Sequence, residues 1–88
     1  MITAVLKFEI NNTFSEWEKA FYLSQSMARE AGIFEIYHGH EQDNDKKVIV
    51  VMNCLSVDHM NSFMAENADI VSASGHIIET TDIKIYVN

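Results

Sequence analysis

Eighty-eight residues supply one hydrophobic core with nothing left for a second, so residues 1–88 are expected to form a single domain. Apolar residues make up 48% and charged residues 22%, a globular composition, while thirteen acidic against six basic residues leave a net charge of −7. That balance argues against nucleic acid and anionic membrane surfaces as partners, because both are recognised by clustered Lys and Arg.

Cys54 is the single cysteine, which rules out an intrachain disulfide, a cysteine-based zinc cluster and a paired-cysteine redox motif. Met1–Lys7 has no basic, apolar leader character, and the longest aliphatic run is Val48–Met52. Neither a signal peptide nor a membrane span is expected, and a reducing cytoplasm is the anticipated location.

Residues 2–10 alternate, with Ile2, Ala4, Leu6, Phe8 and Ile10 on one side and Thr3, Lys7 and Glu9 on the other. Period two predicts a strand with one buried face. Thr13-Phe14-Ser15-Glu16 has the spacing of a capping box, and Phe14, Trp17, Phe21, Ser24, Ala28 and Ala31 form one helical stripe that Gly32 ends. One continuous helix of about 18 residues is therefore expected, roughly 27 Å long. Ile33–Gln42 and Lys47–Cys54 read as the second and third strands, joined by a turn at Asp43-Asn44-Asp45-Lys46. A turn centred there without a bulge sets His40 opposite Ile49 and His38 opposite Val51. Ser56 caps a second helix, with Leu55 and Met60 at staple positions and an apolar stripe of Val57, Met60, Phe63 and Met64. Asn67 restarts a short helical piece, Ala68–Ser74, which Gly75 breaks, and Ile77–Val87 is the last strand.

The order strand, helix, strand, strand, helix, strand predicts an α+β ferredoxin-like βαββαβ fold: a four-stranded antiparallel sheet with helices on one face. The third strand, Val48-Ile49-Val50-Val51-Met52, is apolar on both faces, yet the helices of one chain cover only one. A second copy packed against the other face is the economical cover, giving a homodimer through the sheet face; the competing reading is a monomer whose open face is merely aliphatic.

This pattern resembles the dimeric α+β barrel superfamily, which includes the antibiotic-biosynthesis-type monooxygenases and many members of unknown function. The resemblance rests on the element order, the first helix opening at Thr13-Phe14-Ser15-Glu16-Trp17, the aliphatic third strand and the broken helical region from Ser56 to Ser74. It is closest to a small microbial family of unknown function. The resemblance implies a dimeric barrel but not the monooxygenase chemistry. Monooxygenases of the group commonly follow the third strand with an acidic, tryptophan-containing segment and place a His in the second helix; here Val51-Met52-Asn53-Cys54-Leu55 and Phe63-Met64 occupy those stretches.

His38 and His40, at i and i+2 on a strand, project from the same face roughly 6–7 Å apart. Such a pair suits hydrogen-bonded structural histidines, a ligand pocket, or two ligands of a metal that would need a third, for which His59, His76 and Asn53 are the candidates. Asn53, His59 and Trp17 complete the set of ligand-pocket candidates, with Trp17 equally suited to the core. No catalytic residue, metal or cofactor is assigned. The leading expectation is a non-catalytic dimeric barrel binding a small apolar ligand or a protein partner. The alternative is a cofactor-independent monooxygenase or isomerase using His38 or His40 as general base.

Overall fold

The computed structural model describes residues 1–88. In chain order the elements are β1 (Ile2–Ile10), α1 (Phe14–Leu23), α2 (Gln25–Glu30), β2 (Ile33–Glu41), β3 (Asn44–Cys54), α3 (Val57–Glu66), α4 (Ala68–Ala73) and β4 (His76–Tyr86). The strands pair antiparallel in the order β2-β3-β1-β4. This is the ferredoxin-like arrangement, in which each helical segment crosses over an intervening strand. No helix is long and apolar enough to cross a membrane.

The alternation in β1 is reproduced: Ala4, Leu6, Phe8 and Ile10 are buried, and so are Met52, Val50 and Val48, the β3 partners of the first three. These side chains meet Trp17, Ala28 and Met60 from the helices in one core. Local signals act where they were read. Thr13 Oγ1 accepts from the Glu16 amide at 3.1 Å, and Glu16 Oε1 accepts from the Thr13 amide at 3.2 Å, closing the capping box. Ser56 Oγ accepts from the His59 amide at the start of α3.

Three expectations fail for identifiable reasons. The first helix is two helices, broken at Ser24. The Phe21 carbonyl there accepts from the Ser24 amide, the Ser24 hydroxyl and the Gln25 side-chain amide, which tightens the turn and interrupts the i→i−4 ladder. Second, the hairpin turns at Gln42-Asp43, and Asn44, Asp45 and Lys46 belong to β3. The Asn44 side chain accepts from the Lys46 amide at 3.0 Å, so its turn chemistry is spent inside the strand on an irregularity opposite His40 and Glu41. Third, β2 and β3 leave register between His40 and Glu41 as well as at a β2 bulge between Glu35 and Tyr37; the shift next to the turn sets His38 opposite Val50 and His40 opposite Val48, one residue from the expected register. A slip of one residue exchanges the faces of a strand, so both imidazoles stand on the helix-covered side rather than the open one. The last strand also starts one residue early, at His76.

Two glycines hold left-handed backbone, Gly32 at φ 84° and Gly75 at φ 105°. Gly75 is the tighter. Its amide carbonyl accepts from the Asn11 amide, and the Asn12 side chain, donating to the Ser74 carbonyl at 2.9 Å, lies where a Cβ would have to go. Gly75→Ala should therefore cost about 1–3 kcal/mol, combining an unfavourable φ with a steric conflict. Thermal or urea unfolding reads this, and a loss below about 0.5 kcal/mol would show that the Asn12 side chain moves aside freely.

Candidate functional site

The bulge in β2 builds the first constellation. Residues three apart on a regular strand face opposite sides, but with Ile36 displaced, Glu35 and His38 share the helix-covered face. Glu35 Oε1 lies 2.5 Å from His38 Nδ1, and Glu18 Oε2, reaching from α1, lies 2.7 Å from His38 Nε2. The imidazole is thus held at both nitrogens. It is also enclosed by aromatic rings on α1, with ring centres at 5.1 Å for Phe21, 5.4 Å for Tyr22 and 6.0 Å for Trp17. Its side chain is only 12% exposed.

Burial pulls the His38 pKa down, but hydrogen bonds and charge from Glu35 and Glu18 outweigh it and hold the ring above the ordinary imidazole value. A ring donating from both nitrogens has no lone pair with which to accept a proton, so the geometry disfavours His38 as a general base. The two carboxylates approach opposite edges of the ring and do not converge on one point, and no group of three or more His, Cys, Asp or Glu side chains is placed to hold a metal ion. In Glu18→Gln/Glu35→Gln, burial is left acting alone. His38, followed by NMR titration, is expected to move from above to below its ordinary value of 6.5. An unchanged titration would show that the carboxylates are not what hold the proton.

The other sequence candidates scatter. His40 is exposed, with Nδ1 2.7 Å from the Glu41 carbonyl oxygen and its ring edge-on to Phe14 at 4.6 Å. Asn53 is on the open face of the sheet, accepting from the Thr3 hydroxyl at 2.9 Å. His59 is at the start of α3, with Nδ1 2.7 Å from Ser56 Oγ. Cys54 is fully buried, and burial pushes its thiol pKa up, away from nucleophilic use. Trp17 is buried and joins the two parts of the site, since it contacts His38 and also lines the cavity described next.

That cavity lies between the helices and the sheet and has a volume of about 120 Å³. Phe8, Trp17, Phe21, Met52, Phe63 and Ile70 are among its walls, and fourteen of twenty lining residues are apolar. Of its six polar residues, Ser24, Gln25, Asn67 and Ser74 donate to helix carbonyls, which leaves Glu35 and His76. Glu35 contributes from β2 and is already engaged by His38. His76 contributes from β4 and is the only polar residue of the buried set. Its ring stacks on Phe8 with centres 3.6 Å apart and planes within 5°.

Glu18 and Glu35 were not legible as site residues in the sequence, and His76 only as one of three candidates for a third metal ligand beside His38 and His40. Glu18 follows Trp17 on the stripe's shoulder, the Glu35–His38 spacing has the wrong parity for a regular strand, and His76 sits next to a glycine outside any motif.

With this geometry established, comparison with known proteins identifies the lineage. The chain belongs to the family described as domain of unknown function DUF3764, which matches residues 1–88. No curated protein matches the sequence. Among solved structures the chain is similar to SnoaB, a cofactor-independent oxygenase from Streptomyces nogalater, with a TM-score of 0.68, 15% identity, and coverage of 99% of this chain and 91% of that one. It is also similar to a provisionally assigned antibiotic biosynthesis monooxygenase from Bordetella bronchiseptica, at TM-score 0.76 and 10% identity, covering 99% of this chain and 95% of that one. An uncharacterised NIPSNAP domain protein from Burkholderia xenovorans aligns at TM-score 0.64 and 10% identity, covering 100% of this chain and 94% of that one. At these identities the likeness is one of fold.

Proposed function

We propose that this member of the DUF3764 family is a single-domain, cytoplasmic, homodimeric barrel that binds a small, largely apolar ligand between its helices and its sheet. The observation that carries the reading is the cavity: about 120 Å³ with predominantly apolar walls, near the roughly 150 Å³ of a dry apolar cavity that accepts benzene.

The dimer is supported by the open face of the sheet. The β2 bulge turns Ile36 and Tyr37 outward, 54% and 58% exposed, beside Phe34 at 37%. Val5, Val51 and Tyr37 run across three strands in one row. A second copy of the same face covers this patch by a two-fold axis.

Titration with toluene, followed through the methyl signals of Met52 and Met64, tests the ligand reading. Saturable shifts confined to cavity residues are expected, and their absence up to the solubility limit would overturn it. Sedimentation equilibrium tests the assembly: a clean species of 10.0 kDa at micromolar concentration would refute the dimer.

A further inference from the structure

His76 is the unusual wall of the cavity. A buried imidazole among hydrocarbon is costly unless it is hydrogen-bonded, and here Nε2 lies 2.6 Å from the Thr81 hydroxyl oxygen. Residues five apart on a regular strand would be separated by roughly 16 Å and face opposite sides. The contact exists because β4 leaves register between the pairs Glu9–Ile77 and Lys7–Asp82. That excursion is itself fastened: the Thr80 hydroxyl accepts from the Glu9 amide at 2.9 Å and donates to the Ile77 carbonyl at 2.6 Å. The irregularity thus brings a hydroxyl to one edge of the ring while the Phe8 stack fixes its plane. Nδ1 is left as the edge with no protein partner, on a residue that lines the cavity.

The remaining walls limit what enters. No Lys or Arg lines the cavity, and its one carboxylate, Glu35, is already held by His38. An anionic ligand would meet that carboxylate without a compensating cation, and a cationic one would compete with an imidazole already in place. The volume of about 120 Å³ suits one ring. A hydroxyl also meets either tautomer of His76, since it donates when Nδ1 is bare and accepts when Nδ1 carries the proton.

Resting on the cavity reading above, we propose that the ligand class is a neutral monocyclic molecule bearing one hydroxyl, of phenol type, anchored through that hydroxyl to Nδ1 of His76. The test compares p-cresol with toluene by calorimetry and NMR in the intact protein and in His76→Phe, which keeps a ring against Phe8. The intact protein should bind p-cresol about tenfold more tightly than toluene, the worth of one net hydrogen bond, and His76→Phe should bind the two equally. In the unsubstituted protein, p-cresol but not toluene should shift the ¹⁵N resonance of His76 Nδ1, a readout that does not depend on the variant folding. Equal affinities in the intact protein, a preference that survives His76→Phe, or an unmoved Nδ1 resonance would each overturn the hydroxyl anchor while leaving the apolar cavity intact as a site. Failure of both molecules to bind would overturn the cavity reading together with it.

Discussion

Acidification from pH 7 to pH 5 should cost this protein about 2 kcal/mol through His76 alone, rising to about 3 kcal/mol near pH 4. Burial lowers the His76 pKa from its ordinary 6.5 to about 4, so the folded ring stays neutral where the unfolded one takes up a proton. Below pH 6.5 the unfolded state binds more protons, and stability falls until the folded ring also titrates. The contribution is fully present above 6.5 and lost on the way down to about 4. His76 packs against Phe8 and Thr81, and burial alone sets its shift: the one carboxylate of the cavity, Glu35, is engaged by His38 and makes no hydrogen bond to it. His38 acts in the opposite direction. Its raised pKa contributes stability that is fully present below 6.5 and lost as pH climbs through the folded value. The two histidines together place maximum stability near neutrality. Urea unfolding at pH 7 and pH 5 should show the drop in the natural sequence and largely abolish it in His76→Phe, whatever that variant's absolute stability. Equal drops in both would assign the acid limb to carboxylates instead.

Trp17→Ala should be the most damaging single truncation, at about 3–5 kcal/mol. The side chain is 2% exposed and is the hub of the aromatic cluster, with ring centres 4.8 Å from Phe21, 5.5 Å from Phe14 and 5.7 Å from Phe8. Removing it merges a large new void with the existing cavity and strips one wall from His38. A domain of this length has only about 4–13 kcal/mol of stability in total, so the variant should be marginal or unfolded at 37 °C. Trp17→Phe, which retains a ring, should lose much less. The urea midpoint and near-ultraviolet circular dichroism report both, and a loss under 1 kcal/mol in Trp17→Ala would mean that the cluster recollapses around the gap.

Much of the architecture is local and was readable as such. Period-two alternation in Ile2–Ile10, the Thr13–Glu16 capping box and the glycines after the helical segments each depend on residues within a few positions of one another. Periodicity survives in a sequence because it repeats. The break at Ser24 did not show, because it depends on which of three donors reaches the Phe21 carbonyl, and a serine in an apolar stripe reads equally well as a continuing helix.

The site was readable only in part, and the reason is parity. His38 stood out in the sequence, but its partners did not, because the bulge at Ile36 reverses which residues of β2 share a face with Glu35. Thr81 reaches His76 through the same device in β4. A bulge adds backbone without a motif, so a pattern rule that assumes alternation gives the wrong neighbour on one side of it.

By itself, then, the sequence determined the element order, the caps, the apolar face of β1 and the two-sided apolar character of β3, all consequences of short-range chemistry and repeating hydrophobicity. The tertiary structure alone decided that Glu18 and Glu35 grip opposite edges of His38, and that His76 faces an apolar cavity with Thr81 at its back. Those contacts join residues by register between strands and by crossovers between layers, and register is set by packing the whole sheet against its helices, which no single stretch of chain encodes.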